Sequence, residues 1–387
     1  MAHLKLGRKL FLCFQLCGLN LINLSTLNKN TKKKNSVKIK YHLYHLLHIV
    51  IFCANLVIVL SCPNSIMFAF DPLGKFNDWI KYYAAITTSC IILLESYVRV
   101  EELIDVFHQS FKLEAIFRAI KIDLSQQNEN STRIYMRKFV FYIVLLFALE
   151  LWSLPFLLRN TSQLNYWILS MPLVIQSRFR QLQHLYCIDL CHHYSRTLAC
   201  NIKQLAIFLN TLDITTPCNP ISLEKYRMKF IHHRFKILQK SYYIIWKMAN
   251  SVNLYFGWSQ VANYAGQFLQ LLSDFYWLYW RFYNESYGFG MCSMLMMSNF
   301  INYPHLIQSI SIWLHRVKFT VYDSKISETL INFSLQIVQE PVIFQAMELF
   351  TIDFKPLRSM ISAITTYMVL FVQFLPRLVT SSYLHSE

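Results

Sequence analysis

The chain has 387 residues, of which 55% are hydrophobic and only 15% charged, with a formal net charge of +16 and a mean hydropathy of +0.31. A soluble domain of ordinary make-up carries about 25% charged residues, so this balance describes a multi-spanning membrane protein. Glycine is scarce, at seven residues, and no phosphate-cradling glycine loop or Gly-x-Ser-x-Gly elbow occurs, which removes the main sequence support for nucleotide-binding and hydrolase chemistry.

Residues 1–40 hold Lys5, Arg8, Lys9, Lys29, Lys32, Lys33, Lys34, Lys38 and Lys40 and no acid. The apolar run Leu10 to Leu24, broken by Gln15, Asn20 and Asn23, follows a basic start as a signal peptide would. No small-x-small cleavage pattern comes after it, and a helix on the inner membrane surface is the better reading. A first span is expected over 43–61 and a second over 79–98. A connection of mixed charge then leads to a third over 139–158, containing Glu150 and Pro155. The fourth, 166–186, carries Arg178 and Arg180, which places its lower half in cytosol or protein. Helical patterning continues through 187–240, with a break at Thr215-Thr216-Pro217-Cys218-Asn219-Pro220. The fifth, 242–280, exceeds one crossing, so its first part stands in the cytosol. The sixth is expected over 289–313. After an amphipathic stretch with Pro341 and Pro356, the seventh covers 358–378.

The positive-inside rule orients this bundle. With the N-terminus inside, the expected cytosolic pieces hold 28 of the 37 Lys and Arg residues, and the expected outer loops hold only Lys75, Arg159 and Arg281. The sequons at Asn160 and Asn284 then fall outside, an independent agreement and a pair of expected glycosylation sites. The fold class is therefore all-α, with seven transmembrane helices, a cytosolic N-terminus and an extracellular C-terminus. A G-protein-coupled receptor has the opposite orientation. In such a chain the positive charge marks cytosolic loops, and no nucleic-acid partner is expected.

Cys187, Cys191, His192 and His193 stand together, but no second pair at metal spacing lies near them. They read as part of a solvated cytosolic helix, with no metal or cofactor expected. Acids inside spans are functional candidates by default. Glu150 with Trp152, and Asp274 with Gln267, Gln270 and Trp277, lie toward the outer ends of spans three and five, where span two brings Tyr82 and Tyr83. An outward-open aromatic pocket for a small organic ligand is the expected use of these residues. Interfacial aromatic belts supply the plain alternative.

The seventh span is the most informative stretch. Ser359, Ser362, Thr366 and Gln373 share one helical face, beside an aromatic stripe of Tyr367, Phe371 and Phe374. A glutamine facing lipid would leave its amide unsatisfied, so this face meets protein or water. Thr366-Tyr367, five apolar residues and Gln373-Phe374 resemble the C-terminal signature of the insect gustatory receptors. Phe333-Ser334-Leu335-Gln336, Glu340-Pro341-Val342, Phe354 and Leu357-Arg358-Ser359-Met360 resemble the segment that precedes it. Glu340 departs from the family's usual residue before that proline. Gln15-Leu16-Cys17-Gly18-Leu19 is a looser likeness.

The resemblance implies a tastant-gated cation channel in the plasma membrane of gustatory neurons, a homo- or hetero-tetramer with other receptor subunits, and not an enzyme. It also implies that the seventh helices surround the pore, with Gln373 and Phe374 near the gate and Thr366, Tyr367 and Leu370 supporting or lining it. Segments 99–138, 187–240 and 314–357 would then form the subunit interface. An odorant-receptor-like subunit is the nearest alternative. A secondary transporter would show internal repeats, and the sequence has none.

Overall fold

The computed structural model describes residues 13–19, 42–61, 72–120, 137, 140, 141, 143, 144, 148, 161–215, 221–283, 324–352, 355, 356, 358–369 and 373. Within these, α1 (His42–Ser61) and α2 (Pro72–Val98) cover the first two expected spans, and α2 opens on a proline, whose missing N–H costs nothing at a first helical position. Arg99 makes the turn into α3 (Val100–Ala119), a helix where the sequence pattern suggested only a charged connection. Its own composition supports it: Glu101 and Glu102 lie in the first turn and Arg118 in the last, each matched to the helix dipole.

Two very long helices dominate. α4 (Thr161–Thr215) has 55 residues and α5 (Ile221–Tyr283) has 63. At 1.5 Å per residue they run roughly 80 and 95 Å, against about 30 Å of bilayer core, so each must stand well outside the hydrocarbon. The expected break between them, 216–220, lies outside the described residues. α6 (Ser324–Gln339) follows, then a small antiparallel hairpin of β1 (Gln345–Ala346) and β2 (Phe350–Thr351), in register Gln345↔Thr351 and Ala346↔Phe350. Met347 and Glu348 make its turn with left-handed φ values of 50° and 59°, the sense that suits a twisted hairpin. A final helix, α7, spans 358–369.

The largest core joins α3, α4 and α5. It contains Leu103, Val106, Leu113 and Phe117 of α3, Cys187, Cys191, Tyr194 and Leu198 of α4, and Ile245, Met248 and Val252 of α5. This corrects the expectation of a solvated helix after span four. Cys187 and Cys191 are fully buried, because α3 packs on that face and Ser110 Oγ meets Tyr194 Oη at 2.7 Å. A second cluster ties α1 and α4 to α2 through Phe52, Val59, Tyr82, Leu93 and Leu173. A third sets Ile364 of α7 on Leu271 of α5, with Phe268, Phe275, Met360 and Met368 around them. Apolar side chains such as Leu46, Leu47, Val50, Val57 and Leu60 of α1 face outward, as on a lipid-facing wall. Among the described residues no helix is by itself long and apolar enough to cross a membrane. The expected third and sixth spans fall mostly or wholly outside the described residues.

Candidate functional site

The centre of the molecule is a buried charge pair. Arg180 of α4 has no exposed surface and Glu95 of α2 is 4% exposed. Arg180 Nη2 donates to Glu95 Oε2 at 3.1 Å and to the Tyr255 carbonyl at 2.8 Å. Its Nη1 donates to Gln183 Oε1 at 3.0 Å and its Nε to Ser259 Oγ at 3.0 Å. The guanidinium carbon lies 4.3 Å from the ring centroids of both Tyr255 and Phe256. A planar, weakly hydrated guanidinium with a forked donor set suits such a place, whereas a lysine ammonium could not reach four acceptors and lie against two rings at once.

The carboxylate does more than neutralise that charge. Glu95 accepts the backbone N–H groups of Trp258 and Ser259, each at 2.8 Å, and the Ser259 hydroxyl. The ladder partners of those N–H groups, the carbonyls of Leu254 and Tyr255, accept from Arg99 Nη1 and Arg180 Nη2. Side chains of α2, of α4 and of Arg99 in the turn into α3 therefore enter the hydrogen-bond ladder of α5 at one turn, the arrangement that bends a helix locally. Gly257 sits within that turn. A Cβ there would come 2.7 Å from Met347 Sδ, so glycine is what lets the hairpin turn lie on α5. Asn253 fixes the same contact, its Nδ2 donating to the Ile343 carbonyl at 2.8 Å and its Oδ1 accepting from Gln345 N–H at 3.0 Å.

The segment Gln15 to Leu19 docks beneath this centre. The Leu19 carbonyl accepts from Tyr255 Oη at 3.1 Å and from Gln183 Nε2 at 3.4 Å. His45 Nδ1 lies 3.3 Å from the Gly18 carbonyl and His48 Nε2 lies 2.7 Å from the Leu16 carbonyl. Gly18 has φ +70°, and a Cβ would meet His48 Cδ2 at 2.9 Å, so this position calls for glycine on two counts.

Outward of the pair, α4 and α5 share a polar seam. Gln176, Ser177, Arg180, Gln183 and His184 are spaced along one face of α4, and Phe256, Ser259, Gln260 and Asn263 along one face of α5. Ser177 Oγ donates to Asn263 Oδ1 at 2.7 Å. Thr88 of α2 donates to the Ala262 carbonyl at 3.2 Å, and a Cβ at Gly266 would stand 2.9 Å from its hydroxyl. Near Pro172, which cannot donate to its own ladder, the carbonyls of Leu169 and Leu173 accept from Asn55 Nδ2 and Ser89 Oγ. Nearer the outer end, Asn77 Nδ2 reaches Ser273 Oγ at 2.9 Å.

Of the residues expected to form the pocket, Tyr82, Tyr83, Gln267 and Gln270 have described side chains. Tyr82 is buried and donates to Asn55 Oδ1 at 2.7 Å, toward α1, while Tyr83 is half-exposed and stacks on Trp79 at 5.2 Å. Gln267 and Gln270 are half-buried on the α5 face that carries Gln260 and Asn263. Asp274 and Trp277 belong to α5, with side chains outside the described residues; Glu150, Trp152, Asn160, Asn284, Leu370 and Phe374 lie outside them altogether. On α7, Thr366 is exposed and donates to the Ser362 carbonyl at 3.1 Å. Exposed Tyr367 meets the Phe268 ring edge-on at 6.3 Å, and Gln373 is helical and exposed. Single-span reading missed Glu95 and Arg180. Their signal was opposite charge at the same depth, since spans two and four both run inward and carry these residues near their inner ends. Among the described residues no group of three or more His, Cys, Asp or Glu side chains could hold a metal.

This is a helical membrane bundle, organised around an ion pair that ties three helices and a docked N-terminal segment together. Residues 8–375 match the family described as 7tm Chemosensory receptor, and the chain belongs to that family. Over 160 residues it is 26% identical to Gustatory receptor 23a of Drosophila melanogaster, a stretch covering 37% of this chain and 42% of that protein's length. It is similar in fold to the insect olfactory receptor OR5 from Machilis hrabei, with a TM-score of 0.58 over 95% of this chain and 98% of that one, at 13% identity. The protein is thus a multi-pass membrane receptor with the all-α, seven-transmembrane chemoreceptor fold.

Proposed function

We propose that this chain is a gustatory receptor subunit: a ligand-gated, non-selective cation channel of the plasma membrane that detects tastants and drives acceptance or avoidance. Its single seven-span domain has spans at about 43–61, 79–98, 139–158, 166–186, 242–280, 289–313 and 358–378, and Asn160 and Asn284 carry outer-loop glycans. Four subunits, identical or mixed, surround a pore lined by their last helices.

The observation that carries this reading is the two-sidedness of α7. Met360, Ile364 and Met368 pack on α5, while Ser359, Ser362 and Thr366 are exposed on the far side beside exposed Ile361 and Val369, and Gln373, beyond α7, is helical and exposed. A polar face turned away from its own bundle inside a membrane calls for water or another subunit, and a pore wall supplies both. The Thr366-Tyr367 to Gln373-Phe374 signature and the partial likeness to Gustatory receptor 23a favour a taste over an odour receptor. The test is whole-cell current from the chain, alone and with other receptor subunits, against a tastant panel. Gln373→Glu places carboxylates in the conduction path and is expected to shift the reversal potential toward cations of higher charge, while Gln373→Ala alters gating. Unchanged permeability and gating in both variants would refute the pore placement.

A further inference from the structure

The cytosolic part of α5 carries a single line of positive charge. Lys229, Lys236, Lys240 and Lys247 are all exposed. At about 100° per residue they fall within roughly 40° of one another, opposite the buried line of Ile231, Phe235, Leu238, Tyr242 and Ile245. Among the described residues none of these lysines is ion-paired, and the sequence holds no acid from Lys225 to Ser273. Exposed His233 stands in the same line, and Tyr226, 75% exposed, and Tyr243, 43% exposed, flank it on opposite sides. A face covered by water alone normally mixes both signs, because like charges at i,i+4, such as Lys236 and Lys240, cost stability that an interspersed acid removes. A one-signed line with exposed tyrosines beside it points to a partner of the opposite sign.

The class of partner follows from where the line lies. Beyond Lys247 the same face continues with Leu254 and Trp258, apolar and exposed, which sets the inner edge of the bilayer core between Lys247 and Leu254. Lys236 lies roughly 27 Å along the helix from Leu254, and roughly 19 Å below that edge even at an inclination of about 45°. Headgroups extend only about 5–8 Å past the core, so lipid meets Lys247 and leaves Lys229 and Lys236 out of reach. A second copy of the chain is no better match. Its own line would repel this one, and the exposed acids among the described residues, Glu101, Glu328 and Glu348, belong to α3, α6 and the hairpin turn and form no matching row. Lysines spaced seven, four and seven apart suit a second helix, which can set a carboxylate against each of them. We infer that this face of α5 docks a cytosolic protein through an acidic helix, its carboxylates paired with Lys229, Lys236, Lys240 and Lys247 and its apolar flanks against Tyr226 and Tyr243. The inference stands apart from the ligand and from the pore.

The experiment has a binding arm and a cellular arm. The full chain in nanodiscs of neutral lipid is titrated with a fluorescent helical peptide that carries glutamates at the matching spacing and leucines beside them, and with a scrambled peptide of the same composition. The ordered peptide is expected to bind more tightly than the scrambled one, and its binding to weaken as salt screens the charges. Lys229→Glu with Lys236→Glu should weaken it roughly tenfold, whereas Lys229→Arg with Lys236→Arg keeps it. Reversal of exposed Lys112 and Arg196, which lie on other helices, is the control and should leave it unchanged. All these positions are exposed, so the thermal midpoints of the variants should stay near wild type. Equal binding of the two peptides, or an equal loss in the control, would overturn the docking face. In insect cells, a photo-crosslinking benzoylphenylalanine replaces Tyr226 and the adducts are identified by mass spectrometry. An acidic cytosolic protein, captured by the Lys→Arg form and lost from the Lys→Glu form, is the expected result. An adduct with a second copy of the chain would make this face a subunit contact, an adduct with lipid would make it a membrane contact, and either of these, or no adduct at all, refutes the inference.

Discussion

Replacing Glu95 by glutamine tests the central pair with almost no change in shape. Trp258 N–H and Ser259 N–H go to different carboxylate oxygens, so the new amide keeps one of them and turns its NH2 toward the other, and Arg180 is left as an uncompensated charge with no exposed surface. Removing one member of a buried pair costs about 3–5 kcal/mol. Arg180 keeps the Tyr255 carbonyl, Gln183 and Ser259 as acceptors and two aromatic rings at 4.3 Å, so the lower end, about 3 kcal/mol, is expected for the charge, and the N–H that loses its acceptor adds about 1 kcal/mol that the double variant does not recover. That is a shift of more than a hundredfold in the folding equilibrium. The double variant Glu95→Gln with Arg180→Met removes both charges and their desolvation cost, and it should recover most of the loss. The assay is fluorescence-detected thermal unfolding of the solubilised receptor alongside surface density in cells. The coupling between the two positions is read from the four-way comparison. Normal stability and surface density in Glu95→Gln alone, or a double variant worse than either single one, would refute the ion-pair reasoning.

Two further outcomes follow from the cytosolic core and the hairpin. Burial pushes the Cys187 thiol up to about 12, against a smaller opposite pull from Arg180, and raises Cys191 well above the usual thiol range, while Cys200 is exposed. A thiol with a raised pKa stays protonated as pH climbs through the ordinary thiol range, so maleimide at pH 8 to 9 should label Cys200 and spare Cys187 and Cys191 until the protein is denatured. Mass spectrometry of the alkylated chain checks this, and labelling of Cys187 in the folded protein would contradict the packing of α3 on α4. Asn253→Ala removes the two bonds by which Asn253 holds residues 343–345, at about 1 kcal/mol each. Faster hydrogen exchange over 343–352, with the α3–α5 core unchanged, is the expected result, and uniform exchange behaviour would deny the hairpin its independent anchor.

Much of the helix layout was legible because hydropathy reports spans one at a time. The apolar run expected over 43–61 lies within α1, His42–Ser61, and the basic, amphipathic stretches on either side of 216–220 continue as the long ends of α4 and α5. Pairings between spans were less visible. Tyr82 and Tyr83 looked alike in sequence, yet neighbours on a helix point about 100° apart, so one meets Asn55 and the other faces outward. Cys187 and Cys191 stand beside two histidines and looked solvated. Their burial depends on α3, whose packing partner no local pattern declares. The hairpin had no sequence signal, because Met347 and Glu348 occupy the left-handed positions where Gly or Asn is usual.

The mechanical consequence lies in how α5 is held. Its middle turn gives backbone bonds to side chains of α2 and α4, its Gly257 receives the hairpin turn, and its outer half carries α7 through Leu271 and Phe268. A displacement of α4 against α5 along the polar seam would therefore act on three things together: the Glu95–Arg180 pair, the docked Leu19 carbonyl and the seat of the last helix. Rigid elements with two discrete arrangements at such a junction can carry coupling, provided that a ligand binds one arrangement better than the other. The polar seam between α4 and α5 lies beside that junction. Its carboxamides lie one turn from the charge pair, and the charge pair holds the turn of α5 on which the hairpin rests.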